Sequence, residues 1–211
     1  MQNSLINHIQ LRISELWEVC KLFVAWFPAR CYPQKEIWLI SERGTDARDN
    51  GYCFFLYLKK QHPEVCCKYI ISFHSKDKDR LSQYADDLVV YASFEHYIYL
   101  WRAKYLISTH IMGFTTNMAF YTRLDNLLHI FRNKKIAFLQ HGIIRANLPQ
   151  LYGDKVRLDL FVCGAKPEYE YILNNFRHPK GVVQYTGLCR YDRLNTFVTK
   201  KQILLILKYI N

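Results

Sequence analysis

Residues 36–72, EIWLISERGTDARDNGYCFFLYLKKQHPEVCCKYIIS, hold one complete supersecondary unit. EIWLIS is apolar on both of its alternating faces, the pattern of a strand covered on two sides. NGYCFFLYLKKQ, at 50–61, is too long for such a strand and has the composition of a helix, and CCKYIIS, at 66–72, is a second doubly covered strand. A strand, a helix and a further strand of this kind make a parallel crossover.

The alternation continues to the end of the chain. DKDRLSQYA (77–85) reads as a helix and DLVVYAS (87–93) as a strand; FEHYIYLWRA (94–103) is helical and KYLIST (104–109) extended. RLDNLLHIF (123–131), KIAFLQH (135–141), LDLFVCGA (158–165), PEYEYILNNF (167–176) and VVQYTGL (182–188) repeat the order helix, strand, strand, helix, strand. The predicted fold class is α/β, a doubly wound and mainly parallel sheet with helices on both faces. Upstream, Ile6, Ile9, Ile13, Leu16, Cys20, Phe23 and Phe27 recur every three or four residues, so residues 1–33 are read as an amphipathic helix ending near Pro28 plus a connector. That helix either packs on the sheet or lies on a bilayer surface, with Trp17, Phe23, Trp26 and Phe27 available to the interface. The α/β domain takes residues 34–198.

Half of the 211 residues are apolar and the formal net charge is +11, which suits a polyanionic partner or an anionic surface. No helix-turn-helix, aromatic RNP motif or zinc finger accompanies the charge, so a nucleic-acid partner is not expected. Seven cysteines without a Cys-x-x-Cys pair, several inside apolar runs, fit a reducing cytoplasm. No stretch reaches the roughly 20 apolar residues of a membrane span. The histidines show no ligand spacing, and neither a metal nor a cofactor is expected.

In doubly wound sheets ligands sit beyond the carboxyl ends of the strands, so those junctions carry the candidate site. His141 follows a buried strand and precedes Gly142, a residue that permits positive φ and close approach of a ligand. An imidazole there either acts as a general base at neutral pH or is a hydrogen-bonded turn residue. His110 ends the KYLISTH strand and faces the same alternatives. Arg43 and Arg48, in SERGTDARDNG, serve either as phosphate ligands near a helix start or as partners of its carboxylates, with Asp49 or Asn50 capping that helix. Lys166, before the helix opening with Pro167 and Glu168, and Arg190, beyond Gly187, are placed to meet a pyrophosphate.

WLISERGTDARDNGYCFFLYL, KYLISTH, KIAFLQHGI, DLFVCGAKPEYEYI and YTGLCRYDRL, taken in order over residues 35 to 196, resemble the CDP-glycerol glycerophosphotransferase family of teichoic acid and capsule synthesis. The resemblance implies the N-terminal, Rossmann-like half of a glycosyltransferase-B-type enzyme. It implies transfer of glycerol phosphate from CDP-glycerol, or a related CDP-polyol, to a hydroxyl of a lipid-linked polyol-phosphate or glycan acceptor, on the inner face of the cell membrane. His141 matches the family's proposed base. Gly142, Arg43, His110, Lys166 and Arg190 are then the substrate-binding candidates, although Gln140 stands where the family often has Trp. Residues 199–211 match the opening of a second domain, so the resemblance further implies a chain without a complete donor site, inactive alone. The alternative is a non-catalytic binding module at the membrane surface.

Overall fold

The computed structural model describes residues 2–33 and 36–196. Its centre is a seven-stranded sheet in the order β3-β2-β1-β4-β5-β6-β7, parallel throughout. The strands are β1 (Ile37–Ser41), β2 (Cys67–Ile71), β3 (Leu88–Val90), β4 (Ala103–Ser108), β5 (Lys135–Phe138), β6 (Leu160–Cys163) and β7 (Val183–Tyr185). The α/β, doubly wound reading of the sequence is therefore observed. The expected segment at 199–211 lies outside the described residues.

Alternation of side chains along each strand feeds two separate cores. Leu39, Ile70, Leu106, Ile136 and Phe161 face one core, shared with α1 (Gln2–Cys31), α3 (Phe94–Arg102), α4 (Met118–Leu128) and α5 (Lys166–Asn175). Ile40, Tyr69, Ile71, Ile107 and Val162 face the other, under α2 (Asn50–Gln61) and the 3-10 segment Lys78–Asp87. Helix α2 has the limits read from sequence: the Asp49 carboxylate accepts the Asn50 N–H, and the His62 N–H closes the last turn on Leu58 O. The helix read at 77–85 is a 3-10 segment, Lys78–Asp87, whose helical backbone Tyr84 breaks. Asp77 is committed elsewhere, accepting Ala47 N–H and Arg48 Nε. Helix α4 begins earlier than expected, where Asn117 Oδ1 caps Phe120 N–H, and ends at His129 with φ 49°.

Helix α1 docks the opposite way round from its apolar repeat. Leu22 and Ala25 are buried, whereas Ile13, Leu16, Phe23 and Phe27 of the repeat are exposed, together with Trp17 and Val24. The side chains of Ile6 and Ile9 lie outside the described residues. Polar residues join Leu22 and Ala25 on the docked face. Glu18 accepts from Lys21 Nζ, Tyr97 OH and Thr116 Oγ1, and Trp101 Nε1 donates to Leu22 O. Burial raises the Glu18 carboxyl, but the hydrogen bonds from Lys21, Thr116 and Tyr97 outweigh it and leave the pKa lowered. Pro28 lies inside the helix, which continues to Cys31.

Candidate active site

From β1 the chain turns to α2 on one face, whereas from the neighbouring β4 it turns to α4 on the other. This reversal opens a crevice at the carboxyl ends of the two strands, where a doubly wound sheet binds its ligands. The loops leaving β1, β4 and β5 meet there. Ser41 Oγ accepts the Gly44 N–H, and Ser108 Oγ accepts the His110 N–H at 3.1 Å while lying 2.7 Å from His110 O and 3.3 Å from Glu42 O. A Cβ on Gly113 would stand 2.3 Å from Ser108 Oγ and 2.5 Å from Glu42 O. Only glycine lets the β4 loop approach the β1 loop so closely.

Two imidazoles line this crevice as a stacked pair. The rings of His110 and His141 have centroids 4.3 Å apart and planes inclined by 8°. His141 Nδ1 lies 3.1 Å from Thr109 O. A carbonyl only accepts, so Nδ1 carries the hydrogen, and the neutral ring keeps its lone pair on Nε2. That is the tautomer a general base at Nε2 requires. Burial first, then the neighbouring His141 and Arg43, lowers the His110 pKa to about 4. At neutral pH His110 is therefore an uncharged ring, with Nδ1 3.0 Å from Thr109 Oγ1.

Buried side chains fix the backbone on either side of His141. Asn50 is fully buried, and its Nδ2 donates to Gln140 O at 2.6 Å while its Oδ1 accepts the Arg190 N–H at 3.0 Å. Arg190 Nη1 reaches His141 O at 3.0 Å and Asp49 Oδ1 at 2.9 Å. On the far side, the buried Glu168 carboxylate accepts from Gln140 Nε2, Ile144 N–H and Gly164 N–H, tying the β5 and β6 loops together. Glu42 does the same for the start of α2, accepting the N–H groups of Arg48, Asp49 and Tyr52. Burial nevertheless keeps the Glu42 pKa raised.

Of the residues singled out from sequence, His141, Gly142, His110, Arg43 and Arg190 gather at this crevice. Arg43 is close enough to bias the charge of His110, and it pairs with Asp46 at 3.4 Å. Lys166 stands at the start of α5, largely exposed, with Glu170 Oε1 3.9 Å away. Gly142 does not use the positive φ that it permits, and Gln140 has one instead, at 63°. A Cβ on Gly142 would meet nothing within 4 Å, so open space faces that position. Sequence reasoning treated Asn50 as a helix cap and did not single out Glu42, Gln140 or Glu168 as site residues. A polar residue inside an apolar strand-end segment is the only sequence signal they carry.

The comparisons with known proteins agree with this architecture. Residues 23–207 match the family described as CDP-glycerol:poly(glycerophosphate) glycerophosphotransferase. The minor teichoic acid biosynthesis protein GgaB of Bacillus subtilis (strain 168) is 33% identical over 180 residues, 83% of this chain and 19% of that protein. The wall teichoic acid polymerase TagF superposes with a TM-score of 0.53 at 14% identity, over 90% of this chain and 49% of that one. An H444N variant of TagF soaked with CDPG gives a TM-score of 0.53 at 15% identity, over 90% of this chain and 51% of that one. At these identities the superpositions speak for the fold. The chain thus spans about one fifth of the curated relative and about half of the solved polymerase.

Proposed function

Because the chain belongs to the CDP-glycerol:poly(glycerophosphate) glycerophosphotransferase family, we propose that its strand-end crevice binds an acceptor hydroxyl and that His141 Nε2 takes the proton from it. The acceptor oxygen attacks the glycerol-bearing phosphorus of CDP-glycerol, the P–O bond to the leaving nucleotide breaks, and CMP departs. The observation that carries this reading is the hydrogen bond from His141 Nδ1–H to Thr109 O, which leaves Nε2 as the basic atom of an exposed ring. Stacking on His110 supports the same role, since an uncharged ring can face an imidazolium without repulsion.

Arg43 and Lys166 supply mobile cations for donor phosphates, and the space facing Gly142 admits a ligand against the backbone. Arg190 serves chiefly through His141 O and Asp49, holding the catalytic loop and presenting its remaining N–H groups to phosphate. The acceptor is a lipid-linked polyol-phosphate or glycan, worked on at the inner, cytoplasmic face of the cell membrane. The exposed stripe of Ile13, Leu16, Trp17, Phe23, Val24 and Phe27 on α1 supports a peripheral membrane contact, and no helix among the described residues is long and apolar enough to cross a bilayer.

The test is CMP release from CDP-glycerol with a polyol-phosphate acceptor, comparing His141→Ala with the unaltered chain, each joined to a donor-binding half from the family. A general base contributes about 100- to 10,000-fold, so the variant should lose at least 100-fold in rate. Its folding stability should stay within about 1 kcal/mol, because the ring is exposed and leaves no core cavity. Unchanged CMP release removes His141 from the mechanism.

A further inference from the structure

A cavity of about 890 Å³ opens at the other end of the sheet, where α1 approaches the first residues of β4 and β5. It lies one strand length from the crevice, about 17 Å for five residues of β1. We propose that this cavity is a second anion site, which takes a phosphate ester or diphosphate group on the guanidinium edges of Arg30 and Arg102, beside Lys104 and Lys134. Its charge balance is one-sided. Four cations line the cavity with Glu36 as the one carboxylate among the described lining residues, and Lys104 already pairs with Glu36. The carboxyl end of α1 adds a partial negative charge of about half a unit. The remaining cations exceed it several-fold.

Each of the two guanidinium groups lies over an aromatic ring. Arg30 lies 4.4 Å over the Trp26 ring and Arg102 lies 4.2 Å over the Tyr32 ring. Stacking occupies the flat face of a guanidinium and leaves the N–H groups along its edge for an oxyanion. Both residues lack a carboxylate partner among the described residues, unlike Arg48, Arg157 and Arg190. Lys134 completes the wall from below. It is 8% exposed, and its Nζ donates at 2.7 Å to both Trp101 O and Ala103 O, which leaves one ammonium hydrogen for a ligand. Burial lowers its pKa to about 8, a cost that a bound oxyanion would relieve.

Position on the molecule suggests two sources for the phosphate. Phe27, 68% exposed, stands one turn before Arg30, so the apolar stripe of α1 leads to the cavity mouth. An amphiphile could lay its chain along that stripe and its head group in the cavity, whereas a soluble phosphate would use the cavity alone. Calorimetry with inorganic pyrophosphate and flotation with phosphatidylglycerol or phosphatidylcholine vesicles distinguish the two. The proteins to compare are the unaltered chain, the double variant Arg30→Gln/Arg102→Gln, and Lys76→Gln, an exposed residue of the loop after β2, as a control at the other end of the sheet. Pyrophosphate affinity should fall by roughly tenfold for each guanidinium removed, one charge-assisted hydrogen bond apiece, and should be unaffected by Lys76→Gln. Loss of pyrophosphate binding alone in the double variant assigns a soluble ligand, and loss of phosphatidylglycerol flotation assigns a head group. Equal behaviour of the unaltered chain and the double variant in both assays overturns the site. Should the double variant not fold, the unaltered chain made with carbon-13 lysine, whose ammonium groups keep all three hydrogens, gives the reading by NMR: the Lys134 pKa rises on adding pyrophosphate, and a static value overturns the proposal. CDP-glycerol enters none of these measurements, so the result stands apart from the reading of His141.

Discussion

Acidification from pH 7.5 to 5 should destabilise the fold through His96, a residue remote from solvent that holds the loop carrying His110. Its Nε2 lies 2.8 Å from Phe114 O and must carry the hydrogen, while Nδ1 accepts the Ala92 N–H at 3.2 Å. A proton on Nδ1 would break the second bond inside a core that His96 enters with 0% exposure. Burial lowers its pKa from 6.5 to about 4, with smaller influences from Phe114 O and from Glu18 and Lys21. The unfolded chain takes up this proton near pH 6.5 and the folded chain only near pH 4. Stability is therefore complete above the higher value and lost as pH falls between the two. The expected loss from this residue is about 2 kcal/mol at pH 5 and about 3 kcal/mol at pH 4. Urea denaturation at pH 7.5, 6 and 5 should be compared with His96→Gln, whose amide nitrogen can still reach Phe114 O but does not titrate. At neutral pH the variant is the weaker of the two, and the gap should close by about 2 kcal/mol at pH 5. Parallel curves would refute the assignment of a neutral, buried His96. Contributions from His110, which is also lowered to about 4, and from Glu18 are common to both proteins and cancel in the comparison.

Two other substitutions probe the scaffold and the surface. Asn50→Ala removes the amide that joins Gln140 O to the Arg190 N–H, and thermal or urea unfolding should show a loss of about 2–4 kcal/mol from one buried and one partly buried group left without partners. A triple change of Trp17, Phe23 and Phe27 to Ser should leave unfolding stability within about 1 kcal/mol, because these side chains are already exposed, yet abolish flotation with anionic vesicles if α1 forms the bilayer contact.

The strands were legible because a sheet covered on both sides leaves a continuous apolar run, and IWLI of β1 and YII of β2 carry that run. The limits of α2 were equally legible, since Asp49 and Asn50 interrupt the apolar pattern where the cap must form. The orientation of α1 was not. Its regular apolar repeat marks one face, but the docked face contains Glu18 and Lys21, whose charges are met by Tyr97 and Thr116 about 80 to 100 residues further along. Periodicity records how apolar a face is and not which partners await it. His141 stood out as a strand-end histidine beside a glycine, whereas its stacking with His110 depends on β4 lying next to β5, with Ser108 opposite Phe138. That adjacency belongs to the strand order. Asn50 was hidden for a similar reason: its amide bridges segments 90 and 140 residues away, and nothing near it in the chain announces them.

Among the described residues, both outer strands of the sheet, Leu88–Val90 and Val183–Tyr185, contain only three residues, whereas β1 and β4 at its centre have five and six. A three-residue border exposes few unpaired amides and carbonyls, too few to template a strand from another molecule. The sheet is thus widest in hydrogen bonding beneath the crevice and tapers to margins that discourage growth by strand addition. At high local concentration, copies of this protein would be kept from fusing edge to edge into a continuous ribbon.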